Sequence, residues 1–360
     1  MKTIRRLSAI IIGFVLFISG ALKLMDPVGA GLVMDEYFSF LHLGFMGFAS
    51  GFFGVVFALC ETILGIALIT GVWRKVVAFV SLCFLGLFTL LTAILWIFNP
   101  PMDCGCFGEA IKLTHAQSFI KNCILMALWA LAFIPVREQE PTRKIKYLSF
   151  SIASISSCLF LLYSSFSIPL MDFTSLKTGT ELYCEDNIDF EEVDDFTKLH
   201  ELYPVLSISN VAGESVDSLV LSGNVLVASV HTPQKMSESK WAKLTSVLNM
   251  AHESGYSTIL LAAATPEELE TLVRDPELLS YSYFADRKDL LSLNRSNGGI
   301  SFISDAQIIA KWSINRTPTK EKLTELTQIN STEALIAENN SSSLKMQAFL
   351  LYVFAVMLLL

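Results

Sequence analysis

Two cysteines, Cys104 and Cys106, lie one residue apart with Gly105 between them. A disulfide between them would close a very small ring, and glycine tolerates the backbone angles that such a ring requires. A strained disulfide is more easily reduced, so the spacing favours thiol–disulfide exchange over a permanent bridge. The alternative is a local turn with two free or separately paired thiols. A metal site is disfavoured, because the sequence offers no two further ligands beside the pair.

Two neighbouring residues bear on the reactivity of this pair. Asp103 places a like charge beside any thiolate, so another group must lower the cysteine pKa if either sulfur is to attack. His115 stands where the next helix is predicted to begin, and its charge could shift the pKa of Cys104 or Cys106. As a surface residue at a helix end, it also needs no functional role.

Glu61 lies near the middle of a long apolar segment, where a carboxylate is costly. We expect it to face the interior of a helix bundle, to find a partner or to stay protonated. Lys23 and the basic residues near the amino terminus are candidate partners, although neither is evidently at the same depth. Two roles remain open for Glu61: a buried structural hydrogen bond, or a proton relay or quinone contact.

The other cysteines fall into two groups. Four lie in apolar segments and are interpreted as packing residues, because a free cysteine behaves as a small hydrophobe; they are Cys60, Cys83, Cys123 and Cys158. Cys184 lies in a polar stretch instead. One hypothesis pairs Cys184 transiently with Cys104 or Cys106, and the alternative is a lone unreactive thiol.

The composition of the chain predicts a membrane protein. Charged residues make up 17% of the 360 residues and the mean hydropathy is +0.53, whereas soluble proteins are about 25% charged. Five segments approach or reach the length of a membrane span. They are Leu7 to Leu22, Ser50 to Trp73, Val76 to Phe98, Phe119 to Val136 and Leu148 to Leu170. The first could instead be a cleaved signal peptide, but the absence of a clear cleavage site favours a retained helix.

Basic residues in the connecting loops predict the orientation, because lysine and arginine resist translocation. With the amino terminus in the cytoplasm, nine basic residues lie inside and three outside. The inside set is Lys2, Arg5, Arg6, Arg74, Lys75, Arg137, Arg143, Lys144 and Lys146, and the outside set is Lys23, Lys112 and Lys121. The segment that contains Cys104 and Cys106, called the cysteine loop, is then expected on the periplasmic side of the inner membrane, where disulfides form. Everything after Leu170 is expected on the same side.

From Met171 onward the chain becomes polar and acidic, with an acidic connector at Asn187 to Asp195. Buried strands are predicted at Val225 to Val230 and Ser257 to Ala264, and a hairpin at Ile300 to Trp312. An amphipathic helix is predicted from Ser237 to Ser254, with its buried face at Trp241, Leu244, Val247, Leu248 and Ala251. Strands that alternate with helices predict a small α/β domain. No basic face points to nucleic acid, since the net charge is -8.

Three features of the first half resemble the DoxX-like membrane proteins related to methylamine-utilisation protein MauE. They are the stretch Ser19 to Pro27, the acidic residue Glu61 and the segment Asn99 to Gly108 with its Cys-Gly-Cys-Phe-Gly sequence. The resemblance implies a four-helix membrane module over residues 1–136 and suggests periplasmic redox chemistry. With a fifth helix and an extracytoplasmic α/β domain added, the layout is similar to a family of membrane proteins from Bacteroidetes.

The second half resembles the thioredoxin-fold domains of periplasmic thiol oxidoreductases. In that family a Cys-x-x-Cys turn follows the first central strand, whereas here the turn is His231 to Met236 and holds no cysteine. Gly299 stands where the family has a cis-proline. The resemblance therefore implies a domain that is redox-inactive on its own and binds a partner. His231 could be read as catalytic, but a histidine in a surface turn is the commoner case.

The predicted architecture is an α-helical membrane bundle, comprising a four-helix module and a fifth span, followed by a soluble thioredoxin-like α/β domain. The domains are expected at 1–136, 137–170, 171–326 and 327–360, the last a polar linker with an apolar tail that could add a sixth helix. The expected function is periplasmic thiol–disulfide or electron-transfer chemistry at Cys104 and Cys106, with Glu61 as a secondary candidate. A quinone is a candidate cofactor, and the expected partners are the lipid bilayer and an extracytoplasmic protein. The alternative is a non-catalytic assembly or client-binding protein.

Overall fold

The computed structural model divides the chain into two compact units. One comprises Met1–Ser165 with Gln347–Leu360, and the other comprises Phe166–Met346. The described residues are 2–100, 102, 104–111, 113–134, 144–166, 169, 172–183, 204–328, 332–336, 344, 347–348 and 351. The predicted acidic connector, Cys184 and most of the apolar tail lie outside these residues, so the predictions made for them stay predictions.

The first unit is a helix bundle. Within the described residues, five helices are long and apolar enough to cross a membrane, which confirms the five predicted spans. The helices are α1 (Lys2–Met25), α2 (Pro27–Phe40), α3 (Ser50–Thr70), α4 (Arg74–Phe98), α5 (His115–Phe133) and α6 (Lys144–Phe166). A 3-10 turn at Gly44–Ala49 leads into α3.

Helices α1 and α3 pack with their backbones in close approach, and glycines make this possible. A Cβ on Gly65 would lie 2.5 Å from the backbone nitrogen of Phe17, and a Cβ on Gly20 would lie 2.6 Å from that of Thr62. Small residues at helix interfaces are the usual means of tight packing inside a membrane. Helix α1 is thus part of the bundle core.

Helix α2 lies in a segment for which the sequence predicted only a connecting loop. Asp26 caps it, because its Oδ1 accepts a hydrogen bond from the Gly29 amide at 2.9 Å, and Pro27 occupies the first helical position. The Asp-Pro pair therefore ends α1 and begins α2. This turn brings Val33 and Tyr37 of α2 to the cysteine loop.

The cysteine loop joins α4 to α5. Asn99 ends α4 in a left-handed conformation, and the loop contains a short strand β1 (Cys106–Glu109). Helix α5 begins with a complete capping box, in which Thr114 and Gln117 each accept a hydrogen bond from the other's backbone amide. Both ends of the loop are therefore fixed by defined helix termini.

The second unit is built on a six-stranded mixed sheet. Its strands are β2 (Ile208–Ser209), β3 (Asn224–Val230), β4 (Ser257–Ala262), β5 (Ser282–Ala285), β6 (Gly299–Ser304) and β7 (Gln307–Trp312). The strand order is β2-β5-β4-β3-β6-β7. Strands β3, β4 and β5 are parallel, and the remaining neighbours pair antiparallel.

Helices of the second unit lie between these strands, except the last, which follows β7. They are α7 (Glu238–Glu253), α8 (Pro266–Leu272), α9 (Pro276–Ser280), α10 (Arg287–Leu293) and α11 (Lys320–Gln328). The five predicted core residues of α7 are all buried. Alternate residues of β3 enter two different cores, with Leu226 and Ala228 on one face of the sheet and Val225 and Val227 on the other. The sheet is thus buried on both faces.

This arrangement confirms the predicted fold class. The parallel strands β3 and β4 and the antiparallel hairpin of β6 and β7 are the parts of a thioredoxin-like sheet, with β3 central and followed by the turn that the family uses for chemistry. The predicted hairpin is present, with Asp305 and Ala306 at its tip in positive φ conformations. The finer domain boundaries stay predictions.

Candidate functional site: a buried cysteine pair

The structure brings Cys104 and Cys106 together inside the first unit. Their sulfur atoms lie 3.7 Å apart, and the two residues are only 1% and 6% exposed. The side chains pack against Leu95 of α4 and Tyr37 of α2. Two thiols at this separation need only a small movement to form a bond, since a disulfide joins its sulfurs at about 2.05 Å.

Hydroxyl groups from two helices hold the backbone of the pair. The Tyr37 hydroxyl donates a hydrogen bond to the Cys104 carbonyl, and the Ser19 hydroxyl donates one to the Cys106 carbonyl at 2.5 Å. The loop is therefore attached to α2 at one cysteine and to α1 at the other. These bonds fix the carbonyl positions while leaving both sulfurs free to react.

Gly105 is required at its position for two reasons. Its φ angle is +58°, in the left-handed region that favours glycine, and a Cβ there would collide with Val33 of α2. The close approach of α2 thus depends on the absence of a side chain between the two cysteines. The glycine of the Cys-Gly-Cys sequence is therefore a packing requirement.

The two sulfurs have opposite acidities. A hydrogen bond from Cys104 lowers the pKa of Cys106 to about 5, against the opposing effect of burial, and Lys121 adds to the lowering. The same hydrogen bond, together with burial, raises the pKa of Cys104. The two thiols titrate as a pair, and the negative charge is favoured on Cys106 over Cys104. A thiolate is the form that attacks disulfides.

Helix α5 supplies the surroundings that favour this thiolate. The Lys121 ammonium lies 4.8 Å from the centre of the Phe107 ring, next to Cys106 in the chain. Ser118, one turn earlier, is buried; its hydroxyl has no well-aligned hydrogen-bond partner among the described residues, yet it acts on both cysteines by lowering their pKa values. From the sequence, Asp103 required that some other group lower the cysteine pKa. Lys121 and Ser118 of α5 are such groups for Cys106. Asp103 itself lies outside the described residues.

Glu61 is paired with Lys23. Lys23 was a candidate partner from the sequence, although the sequence did not show that the two residues lie at the same depth in the membrane. The Lys23 ammonium lies 2.7 Å from Glu61 Oε2 and 3.4 Å from Ser19 Oγ. Both side chains are largely buried, so the carboxylate of α3 has the partner that its position demands. Ser19 links this ion pair to the cysteine loop, because the same hydroxyl binds the Cys106 carbonyl.

A small cavity connects the ion pair to the cysteine. It has a volume of ≈ 20 Å³ and is lined by residues of α1, α3, α4, α5 and the loop. The polar lining residues are Ser19, Lys23, Glu61, Cys106, Lys121 and Asn122. A space of this size holds about one water molecule.

His115 has a different role from the one the sequence left open. It is buried at the start of α5, and its Nε2 donates a hydrogen bond to the Pro100 carbonyl at 3.1 Å. This bond joins the beginning of α5 to the end of α4, so the residue closes the loop. Within the described residues, no group of three or more histidine, cysteine or acidic side chains is placed to hold a metal ion.

The prediction that the four other described cysteines are packing residues is wrong. Each is exposed on the outer surface of its helix: Cys60, Cys83, Cys123 and Cys158. A helix that spans a membrane is apolar on the face toward lipid as well as on the face toward the bundle, so apolar neighbours do not reveal which face a cysteine occupies.

The turn after β3 in the second unit lacks cysteine and is closed by an amide. The Asn297 side chain donates to the Thr232 carbonyl at 2.8 Å and accepts from the Thr232 amide at 3.0 Å. His231 is partly buried, with Nδ1 3.1 Å from Thr232 Oγ1, and burial lowers its pKa to about 4. Gly299, at the predicted cis-proline position, packs directly against Asn294. The turn is thus tied by structural hydrogen bonds.

Sequence reasoning missed four residues of the site: Ser19, Tyr37, Ser118 and Lys121. Ser19 and Lys23 stand four residues apart in α1, and Ser118 and Asn122 stand four apart in α5. Polar residues at this spacing in apolar helices mark one inward face. That pattern was visible in the sequence. The hydrogen bond from Tyr37 to the Cys104 carbonyl could not be predicted, because the sequence did not indicate the helix α2 that carries Tyr37.

Comparisons with known proteins agree with the membrane module. Residues 1–135 match the family described as Methylamine utilisation protein MauE, which confirms the resemblance stated from the sequence. The chain is also 26% identical over 214 residues to Protein TlpB of Flavobacterium psychrophilum, a match that covers 58% of this chain and 55% of that protein. The chain thus spans about half the length of this relative. No solved structure matches.

Proposed function

We propose that this membrane protein exchanges electrons with a protein partner through the Cys104 and Cys106 thiols. One observation carries the proposal: two buried sulfurs lie 3.7 Å apart in one loop, close enough to form a bond with a small movement. The hydrogen bond between them also lowers the pKa of Cys106 to about 5, which favours its thiolate form. A pair of this kind is suited to thiol–disulfide exchange, because a low pKa makes a cysteine both available as a nucleophile and good as a leaving group.

The exchange has two steps. The Cys106 thiolate attacks one sulfur of a partner disulfide, the partner sulfur–sulfur bond breaks, and one partner thiolate leaves. The Cys104 thiol then loses its proton and attacks Cys106 Sγ, which releases the second partner thiolate and forms the Cys104–Cys106 disulfide. Two electrons pass to the partner and one proton leaves the cysteine pair. The reverse sequence oxidises a partner dithiol.

The surroundings of the pair favour a disulfide over a quinone as the reaction partner. The cavity beside Cys106 is ≈ 20 Å³, whereas pockets for drug-sized ligands are roughly 300–1,000 Å³. A quinone ring therefore does not fit this cavity. Because both sulfurs are buried, the partner must displace part of the cysteine loop to reach Cys106.

We place the cysteine loop and the second unit on the periplasmic side of the inner membrane. Helices α1, α4 and α6 each begin with basic residues, and in five successive spans these three starts share one side. The positive-inside rule makes that side cytoplasmic. The loop between α4 and α5 then opens to an oxidising compartment, where disulfide exchange has a use.

The second unit is proposed as the binding module for the partner. It keeps a sheet buried on both faces while its turn holds Asn297 hydrogen bonds in place of a cysteine pair. This observation also favours the alternative function, in which the whole protein binds or assembles a client without chemistry.

Mixed-disulfide trapping separates the two functions. In a Cys104→Ser variant, Cys106 can attack a partner but the second step cannot occur, so a covalent complex should accumulate. The matched control is a Cys123→Ser variant, which retains both reactive sulfurs and should release its partner as the natural chain does. If Cys104→Ser captures no protein and the double variant Cys104→Ser/Cys106→Ser keeps full activity in cells, the non-catalytic function is the correct one.

A further inference from the structure

The cysteine pair must lose a proton in a place where water is almost absent. Cys104 and Cys106 are nearly inaccessible, and the apolar residues Leu95 and Val33 pack against them. The formation of a disulfide from a thiol and a thiolate nevertheless expels one proton. A base within reach, directly or through one water, can speed such a transfer by about 10²- to 10⁴-fold.

The cavity beside Cys106 offers one route, since the Cys104 sulfur lies 3.7 Å from the Cys106 sulfur at its edge. The charged and titratable groups that face it are Lys23 from α1, Glu61 from α3, Cys106 from the loop and Lys121 from α5, and α4 contributes only Leu85 and Phe88. Among these, Glu61 is the carboxylate, so it is the group that can take up a proton and become neutral. The cavity that Glu61 and Cys106 both line has room for about one water molecule.

The ion pair with Lys23 fixes the position of the Glu61 carboxylate beside the cavity. Lys23 holds the carboxylate at 2.7 Å and is itself held by Ser19. Lys23 thus supplies the opposite charge that offsets the cost of placing a carboxylate inside a membrane bundle. A purely structural ion pair would not need an open space between itself and a reactive cysteine.

We propose that Glu61 is the base that receives the proton of the cysteine pair, through a water molecule in the cavity lined by Cys106, Lys23 and Glu61. This inference rests on the proposed exchange function. As the Cys104–Cys106 bond forms and two electrons pass to the partner disulfide, the thiol proton moves to the water, and the water gives a proton to the Glu61 carboxylate. In the reverse direction Glu61 returns the proton to Cys104.

The test follows the two steps separately in the purified full-length protein in lipid nanodiscs. Reduced protein is mixed with oxidised glutathione, and mass spectrometry of the cysteine loop measures the glutathione adduct and the internal disulfide over time. The main variant is Lys23→Met/Glu61→Gln, which removes both charges together so that neither is left buried alone. Glu61→Asp, which keeps a carboxylate, is the matched variant for rescue.

In the natural chain the glutathione adduct should be short-lived. In Lys23→Met/Glu61→Gln, closure to the disulfide should be about 100-fold slower at pH 7, and its rate should rise about tenfold per pH unit because hydroxide must act as the base. Adduct formation should change by less than about fivefold, which shows that the fold and the thiolate survive. Glu61→Asp should recover most of the closure rate.

Two failures are distinguishable. If the natural chain forms neither the glutathione adduct nor the internal disulfide, the proposed exchange function is wrong. If the natural chain forms the disulfide and Lys23→Met/Glu61→Gln closes at the same rate with the same pH dependence, the exchange function stands and the role of Glu61 is overturned.

Discussion

Two turns in this molecule occupy places suited to thiol chemistry, and only one is equipped for it. The cysteine loop of the first unit holds two sulfurs 3.7 Å apart beside Lys121. The turn after β3 in the second unit has the position of a thioredoxin active site, but Asn297 closes it with two hydrogen bonds. The fold alone therefore does not locate the chemistry, since function depends on the residues placed at a site.

The two turns also differ in what holds them. Hydroxyl groups from α1 and α2 bind the carbonyls of Cys104 and Cys106, while the two sulfurs contact each other. In the second unit the hydrogen bonds restrain the turn residues themselves, and His231 is kept neutral by burial. Under the proposed function, the first turn is the one that reacts and the second has a structural role.

Removing either sulfur of the cysteine loop should have the largest effect. Cys104→Ser and Cys106→Ser should each abolish turnover with a disulfide substrate, because closure of the ring needs both sulfurs. Cys60→Ser, on the outer surface of α3, is the control and should keep the natural rate within about twofold. A steady-state assay of disulfide reduction measures all three, and equal losses in the control would mean that the loop is not the site.

Gly105→Ala should disrupt the loop strongly. The new methyl group would meet Val33 and would need a positive φ angle, which together cost about 1–3 kcal/mol. We expect Cys104 and Cys106 to be alkylated at least about tenfold faster as the loop leaves α2. Gly86→Ala in α4 is the matched control, because no atom lies within 4 Å of its added Cβ. Unchanged alkylation in Gly105→Ala would contradict the packing described for α2.

Lys121→Met should weaken the thiolate without removing it. Loss of the ammonium should raise the pKa of Cys106 from about 5 by about one pH unit, since a nearby opposite charge favours the ionised form. The alkylation rate of Cys106 should then fall about fivefold or more at pH 5 and change little at pH 8. Lys121→Arg, which keeps the charge, should retain the natural pH profile. A pH profile that is the same in Lys121→Met would remove Lys121 from the site.

His231→Phe should leave the exchange chemistry unchanged and alter only the stability of the second unit. Burial holds the pKa of His231 at about 4, below its value of about 6.5 in the unfolded chain. The unfolded state therefore binds more protons between these values, and the unit should lose up to about 3 kcal/mol as the pH falls from 6.5 to 4. Hydrogen exchange of β3 and β6 in the full-length protein measures this.

In His231→Phe, the loss of stability of the second unit between pH 6.5 and pH 4 should be smaller. A fall in disulfide turnover in His231→Phe would instead give the second turn a part in catalysis and would break the contrast between the two turns.

The sequence was sufficient for the features that depend on local patterns. Long apolar runs identified the five spans, and the spacing of Trp241, Leu244, Val247, Leu248 and Ala251 identified the buried face of α7. These signals arise within one element, so they need no knowledge of its neighbours. The Cys-Gly-Cys motif was likewise visible as a candidate site.

Features that depend on contacts between distant segments were not predictable in the same way. The depth of Lys23 relative to Glu61 is set by the close packing of α1 on α3, and the role of Tyr37 depends on a helix that the sequence did not indicate. The prediction that Cys60 and the other helix cysteines are buried was wrong for a related reason. Both faces of a membrane helix are apolar, so the sequence does not show which face a cysteine occupies.

The most direct test is the redox state of Cys104 and Cys106 in the intact membrane. Cells are treated with an oxidant or a reductant, free thiols are trapped by alkylation, and mass spectrometry determines the labelling of the peptide that holds both cysteines. We predict that the two cysteines gain and lose the label together, as a pair that forms and breaks one disulfide. Labelling that stays constant under both treatments would contradict the proposed exchange function.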